Sequence, residues 1–126
     1  MFRKIVRTLI VTMCLHFTAS AQVISPFVNH LTMADGLLDG VNYYITRDSK
    51  GFVWISSLNG LNRYDGSEVR QYTAGNGSDE VKGQYVQSKM FEDEEGNLYF
   101  TTYAGGINCY QRATDTFEAW PLARFR

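Results

Sequence analysis

The chain has only two cysteines, Cys14 and Cys109, in 126 residues. Cys14 lies in an N-terminal apolar run that reads as a removable leader. That leaves one thiol, so no intrachain disulfide can staple the rest of the chain. Histidine is equally scarce: His16 shares the leader, and His30 is the only other one. A Cys109–His30 dyad is then the single nucleophile arrangement available, and no third group is placed to orient it. A metal site built on two histidines is excluded in the same way. Basic residues are not in excess, with 12 Lys and Arg against 13 Asp and Glu. The lack of clustered positive charge argues against a nucleic-acid surface. No apolar run approaches the roughly 20 residues of a membrane-spanning helix.

The leader itself is clear. Arg3, Lys4 and Arg7 form a basic head, an apolar run follows from Thr8 to Phe17, and Ala19-Ser20-Ala21 supplies the small residues of a cleavage site. Residues 1–21 therefore read as a secretory signal peptide, with export to a periplasm or to the outside. The competing reading is an N-terminal core helix or a short membrane anchor. Val11-Thr12-Met13 ahead of Cys14 does not fit a lipid-attachment signal. Cleavage would take three basic residues away and move the net charge from −1 to −4.

The remainder is organised around the stretch from Asp48 to Tyr72. Phe52 to Leu58 is aromatic and β-branched, Leu61 to Tyr64 is a second β-type run, and Glu68 to Tyr72 is a third. Asn59-Gly60 and Asp65-Gly66 stand between them as two-residue turns, with the positive φ of a type I′ hairpin expected at both. The stretch then recurs. Asp93-Glu94-Glu95-Gly96-Asn97-Leu98-Tyr99-Phe100-Thr101-Thr102 repeats 48–57, and Gly106-Ile107-Asn108-Cys109-Tyr110 repeats Gly60-Leu61-Asn62-Arg63-Tyr64 after one inserted residue. Upstream, Val41 and Ile45 match Val86 and Met90, which adds one strand to each unit.

Four short strands in a repeat of about 40–50 residues mark a propeller blade. The expected fold is all-β: a partial β-propeller of about two four-stranded antiparallel blades plus a leading strand, after the signal-peptide helix. Residues 22–40 form the lead-in strand and loop, 41–73 blade one, 74–83 an inter-blade loop, 84–120 blade two and 121–126 a tail. Stacked blades cover both faces of a strand, so runs such as Phe52-Val53-Trp54-Ile55 are expected in the core. Aromatic side chains are able to stack on sugar rings, but Tyr43, Tyr44 and Tyr85 sit in strands, where core packing is the default.

Other features read as structure rather than chemistry. Gly75-Asn76-Gly77 lacks the further glycine, helix and Lys or Ser of a phosphate cradle. Glu92-Asp93-Glu94-Glu95 is a run of consecutive acids, whereas calcium loops place oxygen ligands at alternate positions; it reads as a solvated turn. Paired carboxylates could in principle hydrolyse glycosides, but most acids here fall in turns that the repeat explains. Asp48 and Asp93, each leading to a glycine and an aromatic strand, resemble the Asp-box turns of other propellers, in which the carboxylate caps backbone N–H groups.

Asp48-x-x-Gly51-x-Val53-Trp54-Ile55-x-Ser57-x-x-Gly60-Leu61-x-Arg63-Tyr64-Asp65 resembles the two-component regulator propeller repeat. Leu31-Thr32-x-x-Asp35-Gly36-Leu37 is similar to the lead-in that opens such sensor regions. The resemblance spans residues 27–120. Its repeat positions are Asp48, Gly51, Trp54, Gly60 and Tyr64 in the first unit, and Asp93, Gly96, Tyr99, Gly106 and Tyr110 in the second. The second unit departs where Tyr99 stands for Trp54, Cys109 for Arg63, and Gln111 follows Tyr110.

The resemblance implies the first part of a periplasmic sensor. In relatives many such repeats precede a β-sandwich domain, a membrane helix and a cytoplasmic histidine kinase, and many relatives detect oligosaccharides. No catalytic residue, cofactor or metal is expected in this chain. Its expected partners are an oligosaccharide and either further blades of a longer chain or copies of itself. The alternative is a secreted or periplasmic module that binds carbohydrate or protein as an oligomer. Loops 33–40, 74–83 and 103–105 are the expected mouth of the ligand site, and no individual binding residue is assigned.

Overall fold

The computed structural model describes residues 30–103 and 106–120. The signal-peptide helix, most of the expected leading strand and the tail 121–126 lie outside the described residues. His30, Leu31 and Thr32, the described end of that leading strand, are not paired as a strand. Thr32 instead starts a single 3-10 turn over Met33–Asp35. Its hydroxyl accepts from Ala34 N–H at 3.2 Å, and the Asp35 carboxylate accepts from the Thr32 N–H at 2.9 Å. This reciprocal capping box satisfies donors that a turn leaves open. Gly36 then reverses the chain at φ +102°, and Leu37 tucks into the interior. The sequence Leu-Thr-x-x-Asp-Gly-Leu is thus a physical unit of cap, turn and plug.

Eight strands follow among the described residues: β1 Asn42–Arg47, β2 Val53–Ser57, β3 Gly60–Tyr64, β4 Val69–Thr73, β5 Phe91–Glu92, β6 Leu98–Thr101, β7 Ile107–Gln111 and β8 Thr116–Trp120. They form two four-stranded antiparallel sheets in the orders β1-β2-β3-β4 and β5-β6-β7-β8. Each sheet is a meander, so every strand pairs with its neighbour in sequence. The fold is all-β, and the sheets are two blades of a partial β-propeller. Register follows the repeat: Val53 opposes Tyr64 in the first sheet, and Leu98 opposes Tyr110 in the second. The inserted residue is absorbed in the β6–β7 hairpin, leaving the paired strands in phase.

The blades pack face to face through aromatic side chains. Trp54 meets Tyr110 at 4.8 Å between ring centroids, and Tyr72 meets Phe117 at 5.2 Å, both edge-on. Leu61, Val81, Val86, Met90, Leu98 and Phe100 complete this core. Burial of each large side chain contributes about 2–3 kcal/mol. Trp54 and Ile55 are both buried although neighbouring side chains leave a strand on opposite sides, as a strand covered on both faces requires.

Three local expectations are corrected. At Asn59-Gly60 the loop is Leu58-Asn59, and neither residue has positive φ. Gly60 lies at φ +146° inside β3, where a Cβ would come within 2.0 Å of the Tyr72 carbonyl oxygen. Close approach of β4, not turn geometry, demands that glycine. At Asp65-Gly66 the loop is Gly66-Ser67, with positive φ only at Gly66. Asp65 accepts from the Ser67 and Glu68 N–H groups, each at 2.8 Å, and so closes the turn.

The first strand of the second unit is also shorter than expected over 84–91. Val86 bridges to Thr102 and Phe91 pairs with Tyr99, so the interval 86–91 faces the shorter interval 99–102. Those extra residues bulge. The Ser88 hydroxyl takes up the Thr101 N–H at 2.9 Å, a position the ladder would otherwise fill.

Candidate functional site

The repeat residues assemble into braces between and within the blades. Asp48 is buried, and its Oδ1 accepts from Lys50 N–H and Phe52 N–H at 3.0 and 2.9 Å. Its Oδ2 accepts from Trp54 Nε1 at 2.9 Å and from an Arg112 amino group of the second blade at 2.8 Å. Burial opposes the charge on Asp48, but these donors hold its carboxyl below the ordinary carboxylate range. Asp93 repeats the arrangement: Oδ1 accepts from Glu95 N–H and Asn97 N–H, and Oδ2 from the Tyr99 hydroxyl at 3.0 Å. The exchange of Trp54 for Tyr99 thus preserves a donor to the same carboxylate oxygen. Gly51 and Gly96 sit at φ +90° and +85° in the two equivalent turns.

Tyr64 is half-buried and donates to the Gly66 carbonyl at 2.6 Å. Gly106, unlike Gly60, has open space around the Cβ position. Tyr110 is buried and donates to Asp115 at 2.8 Å. Asp115 also accepts from the Tyr72 hydroxyl at 2.7 Å and pairs with Arg70 at 2.6 Å, both in the first blade. Burial works against the Asp115 charge, yet the two phenols and the Arg70 and Arg63 guanidiniums keep its carboxyl low. The ten repeat positions therefore do not converge on one pocket. Apart from Gly106, they hold strands, turns and blades together.

Two buried asparagines were not singled out from sequence, although the Gly-x-Asn-x-Tyr match contains both. Asn62 Oδ1 accepts from Leu38 N–H at 2.8 Å, and Asn108 Oδ1 accepts from Lys82 N–H at 2.8 Å. Each asparagine grips the loop that leads into its own blade. In loop 74–83 a bridge from Ala74 to Val81 and a bond from Phe117 N–H to the Ser78 carbonyl at 2.7 Å fix the path. Asp39 accepts twice from Asn59, tying loop 33–40 to the β2–β3 turn. Cys109 is fully buried with its thiol pushed up by burial, whereas His30 is exposed. Among the described residues no group of three or more His, Cys, Asp or Glu is placed to hold a metal ion.

An open groove of about 690 Å³ on the described surface is lined by Tyr43, Tyr44, Tyr85, Val86, Gln87 and Tyr103. This overturns the assignment of Tyr43, Tyr44 and Tyr85 to the core, since all three are exposed. They lie on or next to the first strand of each unit, which the blade-to-blade contact leaves uncovered. Tyr85 stands at φ +56°, a region that a bulky residue seldom adopts. It is held there by its N–H on the Leu58 carbonyl and by its carbonyl accepting from Tyr103 N–H, both at 3.0 Å. The Tyr85 and Tyr103 rings touch at 5.7 Å. Tyr103 belongs to one of the expected mouth loops, and the positive φ of Tyr85 has no signature in sequence.

No protein-family model matches the chain, and no curated protein matches it either. Among solved structures it resembles the extracellular domain of a protein from B. thetaiotaomicron described as a hybrid two component system. The likeness has a TM-score of 0.61 at 25% identity over 73% of this chain. The chain spans 13% of the length of that neighbour. Among the described residues no helix is long and apolar enough to cross a membrane.

Proposed function

We propose that this chain is a blade pair from the extracellular, ligand-sensing β-propeller of a two-component sensor of the two-component regulator propeller repeat family. It is exported by the signal peptide over 1–21, acts in the periplasm and responds to oligosaccharides without being an enzyme. The observation that carries the reading is the likeness to the extracellular domain of a hybrid two component system over most of the chain. The Asp48–Asp65 motif, whose carboxylates and aromatics form the braces described above, supports it further. Deleting the gene should abolish the transcriptional response of the host to one or more oligosaccharides. A full response in the deletion strain would refute the reading. Export is checked by fusing residues 1–30 to a phosphatase that is active only outside the cytoplasm.

A second reading is a non-enzymatic binding module that works as an oligomer. It is favoured by the exposure of Val41, just ahead of β1, of Ile45 in β1 and of Phe91 in β5, at 61%, 68% and 69%. Large apolar side chains exposed at the first strands invite a partner. A purified chain that sediments as a stable oligomer would support this reading, and a monomer would refute it.

A further inference from the structure

We propose that the groove walled by Tyr43, Tyr44, Tyr85 and Tyr103 is a binding site for a neutral saccharide ring. The inference rests on the sensor reading above and adds the place and the chemistry of recognition. Three observations carry it. First, the groove has the volume of a small-ligand site, and four of its six described lining residues are exposed tyrosines. Exposed phenol rings offer flat apolar faces to the C–H face of a sugar, while their hydroxyls both donate and accept. Sugar hydroxyls have the same double capacity, so each can be matched without a fixed polarity.

Second, the described lining residues include no Asp, Glu, Lys or Arg. A uronic or sulfated sugar would find no counter-charge, and a neutral one needs none. Third, Tyr85 is held in the left-handed region by hydrogen bonds at both its N–H and its carbonyl. Strain of this kind persists only where the surroundings enforce it, and it gathers at ligand sites. The enforced conformation sets the Tyr85 ring against that of Tyr103, the most exposed tyrosine of the four at 72%. Val86, nearly fully buried, closes the floor beside them.

The test is isothermal titration of the full chain with short neutral oligosaccharides of glucose, xylose and mannose. Proline-rich peptide and sulfated saccharide serve as the competing probes. The wild type is expected to bind at least one neutral saccharide. Tyr103→Ala should weaken that binding about tenfold or more, because a stacking face is lost, while Tyr103→Phe keeps the ring and most of the affinity. Tyr85→Gly should lose binding yet melt close to the wild type, since glycine adopts φ +56° without strain. Saccharide binding that survives both Tyr103→Ala and Tyr85→Gly would overturn the groove and leave the oligosaccharide reading standing. A wild type that binds no neutral saccharide would overturn both. Preference for the sulfated saccharide or for the peptide would overturn the chemistry proposed for the groove.

Discussion

The Asp48→Asn substitution separates the two equivalent carboxylates of the repeat. In the first blade, Asp48 Oδ1 serves the Lys50 and Phe52 N–H groups, and an asparagine carbonyl can keep both. Oδ2 serves the Trp54 indole and Arg112, and asparagine would present an NH₂ group to these two donors. The indole N–H can only donate, so it is left buried without an acceptor, at a cost of about 1–3 kcal/mol. Arg112 keeps Glu92 and the Gly96 carbonyl and adds roughly 1 kcal/mol for its weakened pairing. The expected loss is about 2–4 kcal/mol, against a total stability of about 5–15 kcal/mol for an ordinary domain. Asp93→Asn should cost less, because the Tyr99 hydroxyl can turn from donor to acceptor, and the one donor then left facing an NH₂ group is the half-buried Asn97 amide. Urea unfolding followed by tryptophan fluorescence gives both values. Equal losses, or a larger loss for Asp93→Asn, would refute the assignment of Trp54 and Tyr99 as donors of unequal flexibility.

Gly60→Ala should destabilise by about 3 kcal/mol or more, since its Cβ would collide with the Tyr72 carbonyl. Gly66→Ala, with positive φ but open space, should lose only about 1–2 kcal/mol in the same unfolding assay. Asn62→Ala should raise amide exchange at Leu38, and Asn108→Ala at Lys82, each without comparable change at the other site. Asp48 and Asp115 both have folded pKa values below the unfolded value of about 3.9. Their contribution is therefore present above that pH and is lost as pH falls through the lower folded values. Thermal melts should be flat from neutral pH down to about pH 5 and fall below about pH 4. An acid limb unchanged in a Asp48→Asn, Asp115→Asn double variant would show that other carboxylates govern it.

Much of the fold is legible in the residues because the repeat is written twice. A strand run, an Asp-x-x-Gly turn and a Gly-x-Asn-x-Tyr strand recur in register, and two copies of one pattern can only fold into two like sheets. The exchange of Trp54 for Tyr99 looked like a departure in sequence. In space it is a like-for-like replacement of one donor to the same carboxylate. The turn at Asn59-Gly60 differs from its sequence signal for a related reason: the dipeptide matches a hairpin signal, but the glycine answers to the backbone of β4, twelve residues away in Tyr72.

Local pattern alone determined strand content, strand order and the Asp-capped turns, because each depends on residues close in sequence. Which tyrosines are buried was decided only when one blade met the other. Tyr72 and Tyr110 close over Asp115 in the contact between the sheets, while Tyr43, Tyr44 and Tyr85 fall where the sheets do not meet and line a groove. A tyrosine has the same propensity in both places. Burial depends on which surfaces face each other, and that is a property of the assembled blades.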